Sequence, residues 1–277
     1  MDVRTFIRLI EQSAPPHFAA PWDTSGVQVA GTRKRIEKLA VLLDPLPGSL
    51  REPLAWGADF VLAHHPLALK PRLPDRVDDY HRVLSMLLEQ GSWLYSAHTS
   101  LDANPAGPAG WLSRALGLES VRVLEPVSGE DGSLTRCEGG ERQLSVSEYG
   151  FGLAGRLRTP FDWSGFAARL EHLLGTSEWK CAGKTPSRIE TVAYCGGSGG
   201  TLIRAAARVG ADVFVTGDVK YHQAHESYEH NTFVLDVGHF ILEERMMSLW
   251  AGDLEDTLEE VAVRFFPGYD PIRQISP

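Results

Sequence analysis

Short, continuously apolar runs alternate with stretches of helical spacing along most of the chain. Leu39 to Leu43 is apolar throughout and stops at Asp44. A Pro/Gly turn follows, Pro45-Leu46-Pro47-Gly48, and then a predicted helix from Ser49 to Trp56, stopped by Gly57. The run Ala58-Asp59-Phe60-Val61-Leu62-Ala63 comes next and ends at His64-His65-Pro66. A run of this length, rich in Val, Leu and Phe and closed by Pro, predicts a buried strand. The order strand, loop, helix, strand is the building block of a parallel sheet. It recurs: Thr191–Tyr194 predicts a strand, Cys195-Gly196-Gly197-Ser198-Gly199-Gly200 a loop, Thr201–Val209 a helix and Val213–Val215 a strand. An offset of 153 positions carries Gly57-Ala58-Asp59 onto Gly210-Ala211-Asp212 and superposes all four elements without a gap. The chain therefore contains two related β-α-β halves, and the offset sets His64-His65 opposite Gly217-Asp218.

Elsewhere the first eleven residues predict a short amphipathic helix. Val83, Leu84, Leu87 and Leu88 give helical spacing to Val77–Gln90, with Gly91 as the stop. Trp93–Ala97 predicts a strand and Trp163–Leu174 a helix. Residues from about 125 to 145 are poor in apolar periodicity and rich in Gly, Glu and Ser, which places a domain boundary there. The expected division is 1–124 plus 230–277 as a metal-binding lobe and 125–229 as a second lobe carrying the Gly-rich loop.

Four predicted strand ends or adjoining turns collect residues of metal-ligand type: His64-His65; Tyr95 to Asp102, with His98; Thr216 to His222, with Asp218; and Phe233 to Glu243, with Asp236, His239 and Glu243. Neutral imidazole is the commonest protein metal ligand. Adjacent side chains on a strand point to opposite faces, so His64 and His65 do not readily serve one ion in a regular strand; Pro66 suggests that the chain turns there and that the pair serves two neighbouring ions. His239 and Glu243, four apart, share one face of a helix that begins near Gly238. A mixed His/carboxylate set suits zinc, iron, manganese or nickel. The loop holding Gly197, Ser198 and Gly199 lies between a strand and a helix. It either cradles an anion with backbone N–H groups or is a tight turn that admits close packing. It is not followed by the Gly-Lys-Ser/Thr of a Walker loop. Lys220 and His222 are candidates for an anion contact and a general acid/base, and Trp22-Asp23 and Asp44 for supporting groups behind the ligands, Asp44 being equally well a simple strand-end turn.

Composition narrows the class. Hydrophobic residues at 43% and charged residues at 23% fit a soluble globular protein, and the net charge of −9 without a Lys/Arg block argues against a broad nucleic-acid surface. Cys137, Cys181 and Cys195 form no Cys-x-x-Cys pair and suit a reducing cytosol. No stretch approaches the ~18 uninterrupted apolar residues of a membrane span, and the start of the chain lacks the apolar core of a signal peptide. The expected location is cytoplasmic.

The strings Trp22-Asp23-Thr24-Ser25-Gly26, Ala63-His64-His65-Pro66-Leu67, Tyr95 to Asp102, Cys195 to Gly200, Thr216 to His222 and Asp236-Val237-Gly238-His239 occur in the order typical of one family. From about Trp22 to Glu243 the chain resembles the YbgI-like, Nif-three-like dinuclear-metal family, often labelled GTP cyclohydrolase I type 2. The resemblance implies an α/β, two-lobed fold of mixed sheets flanked by helices. It implies two divalent metals (Zn, Fe, Mn or Ni) held in a cleft by His64, His65, Asp102, His239 and Glu243, with His98 a further ligand or a supporting group. It also implies a homohexameric ring. The activity implied is a metal-dependent hydrolase, in which a hydroxide bridging the metals attacks a nucleotide-like, phosphoester or amide substrate while His98 or His222 carries the proton. The alternative is a metal-binding regulatory or scaffold protein without turnover. Asn is more usual in the family at Thr24 and Ser100, and an Asn-Asp pair at Ala109-Gly110; these departures fall where substrate contacts are expected.

Overall fold

A computed structural model of the chain describes residues 1–127 and 149–272. The stretch expected to divide the domains lies outside the described residues from 128 onward, as does Cys137. In chain order the elements are α1 (Val3–Ser13), β1 (Gly26–Val29), β2 (Lys38–Leu42), α2 (Pro47–Trp56), β3 (Phe60–Ala63), α3 (Asp79–Gln90), β4 (Trp93–Ser96) and α4 (Thr99–Asp102). There follow α5 (Trp111–Leu116), β5 (Leu118–Pro126), β6 (Gly150–Phe161), α6 (Trp163–Leu174), β7 (Lys180–Ala182) and β8 (Ile189–Tyr194). The last are α7 (Ile203–Arg208), β9 (Val213–Thr216), α8 (Tyr221–Glu229), β10 (Phe233–Asp236), α9 (His239–Thr257) and β11 (Ala262–Phe265). Contacts divide the chain into two units, Met1–Leu101 with Glu244–Pro277, and Asp102–Glu243.

In the first unit the sheet order is β1-β4-β3-β2-β11. β11, β2, β3 and β4 run parallel and β1 is antiparallel at the edge. All four residues of β3 are buried, as expected for a strand covered on both faces. Leu50, Leu54, Val83 and Leu87 from α2 and α3 pack with Val61 and Leu94 in one cluster. Phe6 of α1 meets Phe60 edge-on at 4.8 Å between ring centroids, and Phe60 stacks on Tyr95. The second unit has the order β5-β6-β8-β9-β10-β7. β8, β9 and β10 are parallel, with antiparallel neighbours on both sides. Ile203 and Ala206 of α7 pack on Ala193, Phe214 and Val234. Both sheets are mixed and flanked by helices, so the expected α/β class with two related β-α-β halves stands.

The repeat extends to single hydrogen bonds. Asp59 Oδ2 accepts from the backbone N–H groups of Glu37 and Lys38, at 2.9 and 3.0 Å. Asp212 Oδ2 accepts from Glu190 and Thr191, both at 2.8 Å, and these are the same positions moved by the offset. Each aspartate, directly before its strand, thus ties the start of that strand to the start of the one two elements before it. The glycine two residues earlier closes the helix in the left-handed region in both copies, Gly57 at φ 84° and Gly210 at φ 73°, where a side chain would be strained.

Local chemistry moves several expected boundaries. The helix expected from Val77 begins at Asp79, because the Asp78 carboxylate caps it by accepting from His81 N–H at 3.1 Å. The helix expected from Ser49 begins at Pro47, a residue preset for the first helical position. The helix expected over Thr201–Val209 divides into a 3-10 turn at Gly200–Leu202 and α7.

Candidate metal centre

β3 ends at Ala63, so His64 and His65 lie past the strand, in a bend. The alternation that sets adjacent side chains on opposite faces ends with the strand. Their ring centroids are 5.1 Å apart, and His98, past the end of the neighbouring β4, stands 5.3 and 5.7 Å from the two. The chain thus turns directly after β3, at the pair that precedes Pro66. One ligand atom from each of His64, His65 and His98 lies within 4.8 Å of the others.

Each of these rings gives Nδ1 to an oxygen. His64 Nδ1 bonds the Ala97 carbonyl at 2.9 Å, His65 Nδ1 bonds Asp44 Oδ1 at 2.7 Å, and His98 Nδ1 bonds Asp23 Oδ1 at 2.8 Å. A carbonyl only accepts, so His64 Nδ1 carries the hydrogen and Nε2 the lone pair; the carboxylates impose the same tautomer on the other two. An imidazole oriented by an oxygen behind it is the usual form of a metal-ligating histidine. The donor set could hold a metal ion.

Asp23 is the most constrained of the supports. Its side chain is fully buried. It accepts from Thr24 N–H at 2.7 Å, Ser25 Oγ at 2.6 Å, and the N–H and Oγ1 of Thr99. Burial alone would raise its pKa, but the hydrogen bonds from His98, Ser25 and Thr99 outweigh it and hold the carboxyl well below the usual carboxylate range.

In the second unit His239 and Glu243 fall on the first turn of α9, with His239 Nε2 2.8 Å from Glu243 Oε2. His239 Nδ1 bonds Asp218 Oδ2 at 2.7 Å. Burial would lower the His239 pKa, but the Glu243 carboxylate, and then Asp218, raise it to about 9. Asp218 itself sits at φ 55°, a left-handed conformation that Asp tolerates better than most residues. Asp102 is half-buried at the end of α4. Burial first, then the carboxylates of Asp102 and Glu243, push the Cys195 thiol up.

The Gly-rich loop is tied down. Gly199 N–H donates to Thr216 Oγ1 at 3.0 Å, and the Gly197 carbonyl accepts from Gly217 N–H at 3.0 Å. A Cβ on Gly197 would come 2.3 Å from Glu243 Oε1, so the bare backbone there lets the carboxylate approach. Ser198 is exposed. Lys220 and His222 are also exposed, at and just inside the start of α8. Sequence reading overlooked Thr99 and Ser25 as the groups that fix Asp23; a Thr directly after His98 and a Ser two residues after Asp23 were the available signals.

A family model described as Duf34/NIF3 (NGG1p interacting factor 3) matches residues 1–271. The chain belongs to the Duf34/NIF3 family. A Lactococcus lactis relative named GTP cyclohydrolase 1 type 2 homolog is 28% identical over 244 residues, covering 87% of each chain. NIF3-like protein 1 of Drosophila melanogaster is 28% identical over 269 residues, 95% of this chain and 85% of the relative. A Bacillus cereus protein described as related to NIF3 superposes with a TM-score of 0.82 at 20% identity, over 99% of both chains, which shows the shared NIF3 fold. Among the described residues no helix is long and apolar enough to cross a membrane.

Proposed function

We propose that this Duf34/NIF3 chain is a dinuclear metal-dependent hydrolase acting on a nucleotide-like, phosphoester or amide substrate. The observation that carries the reading is the imidazole trio, each member with Nδ1 on an oxygen behind it and one ligand atom within 4.8 Å of the other two. His64, His65, Asp102, His239 and Glu243 are assigned as the ligands of two divalent ions, with His98 beside them. When bound, such ions supply Lewis acidity and make water a stronger acid near neutral pH. The protein's part is to orient the donors. Asp44 fixes His65, Asp23 fixes His98, and Asp218 fixes His239. His239 gives up its Nε2 proton to become a ligand, while Asp218 holds Nδ1 from behind. Lys220 and His222 are assigned as anion contact and proton carrier on the strength of their exposure. The names of the curated relatives favour a guanine nucleotide among the substrates to try first. The resemblance adds a ring of six copies, which sedimentation checks.

The test is metal analysis of the purified protein, followed by a nucleotide and phosphoester panel run beside Asp102→Ala. The expected result is turnover that disappears with a chelator, returns with the metal and is lost in the variant. Stoichiometric metal with no turnover on any substrate contradicts the hydrolase and leaves the scaffold reading.

A further inference from the structure

We infer that Trp22 is the stacking platform for a planar heterocyclic part of the substrate. This rests on the hydrolase reading for what the platform serves, but not for whether it binds. A single exposed aromatic side chain is ordinary on a protein surface; what sets Trp22 apart is its place beside the imidazole trio. Trp22 is 61% exposed. Its indole nevertheless meets His98 at 5.8 Å between centroids, with the planes 72° apart. An open aromatic side chain thus stands against a member of the imidazole trio.

The turn beneath it is rigid. Asp23 N–H bonds the Ala20 carbonyl at 2.9 Å, and Ala20 N–H bonds Thr99 Oγ1 at 2.9 Å. Asp23 is buried and holds His98 and Thr99. Thr24 Oγ1 donates to the Ala68 carbonyl at 2.8 Å, which binds the turn to the segment after His64-His65. The backbone that carries Trp22 is therefore clamped by the residues that orient the imidazoles, while the ring itself stays open. Such an arrangement gives a stacking surface at low ordering cost.

Aromatic rings stack on every base through its π-face, and loss of one such platform weakens binding by roughly tenfold. The test is isothermal titration of the full chain with GTP, guanosine and inorganic triphosphate, alongside metal content and sedimentation. The expected result is that Trp22→Ala weakens GTP and guanosine about tenfold. It leaves triphosphate binding, metal content and assembly as in the wild type, and Trp22→Phe recovers most of the affinity. Unchanged guanosine affinity in Trp22→Ala overturns the inference. So does an equal loss for triphosphate, a change in assembly in place of a change in binding, or a wild type that binds neither GTP nor guanosine. Stacking-dependent binding without turnover sinks the hydrolase and spares the platform; metal-dependent turnover indifferent to Trp22→Ala does the reverse.

Discussion

In the first unit β3 runs into His64 and His65; at the same place in the second unit β9 runs into Gly217 and Asp218. The scaffolds around these ends match down to the aspartate clamp, Asp59 in one and Asp212 in the other. The chemistry does not match. In the first unit an imidazole follows the central strand and its carboxylate, Asp44, follows the strand before it. In the second the carboxylate, Asp218, follows the central strand and the imidazole, His239, follows the strand after it. One β-α-β plan thus delivers a carboxylate-oriented histidine twice, with donor and support exchanged. The strand ends carry function and are free to differ, while the clamp and the helix-closing glycine carry the fold and recur.

The largest expected effect falls on the donors. His65→Ala removes an assigned ligand, and metal affinity, read by competition with a chromophoric chelator, is expected to fall by more than the ~100-fold upper end for groups that only orient ligands. The supports follow. Asp44→Asn and Asp218→Asn are expected to weaken metal binding by about tenfold each, within the ~10–100-fold range for groups that orient metal ligands. If Asp218→Asn has no effect while Asp44→Asn does, the exchange of roles between the units is wrong.

The clamps come next. Asp59→Ala and Asp212→Ala each strand two backbone N–H groups from a carboxylate and are expected to cost about 2 kcal/mol apiece in urea unfolding. Asp59→Ala should lose slightly more, because Asp59 is 8% exposed whereas Asp212 is half-buried. A large loss in one variant and none in the other breaks the equivalence.

The smallest effect is at the helix ends. Gly57→Ala and Gly210→Ala meet no close atom, the nearest being Lys38 Nζ at 3.7 Å from the added Cβ at position 57. Only left-handed strain remains, about 1 kcal/mol each.

Much of this was readable from local signals. The apolar runs of β2 and β3, the glycine stops and the offset between the halves are properties of neighbouring residues, and the fold follows them closely. His239 and Glu243 were paired by helical spacing, a short-range rule that α9 obeys. What local reading missed depends on residues far apart in the chain. Asp23 supports His98 across 75 positions, and no periodicity encodes that. The approach of His98 to His64 and His65 likewise joins residues more than thirty positions apart. Gly197 shows the limit of composition: a Gly-rich loop reads as an anion cradle or a close turn, and the approach of Glu243 appears only once the chain is folded.

The central claim is that the chain holds its metals through histidines oriented by carboxylates. The most direct test is the metal-to-protein ratio after equilibration of the full chain in metal-replete buffer and removal of loosely bound ions. Two divalent ions per chain in the wild type, with a clear shortfall in His64→Ala and His65→Ala, is the predicted result. A wild-type chain that retains no metal contradicts the account.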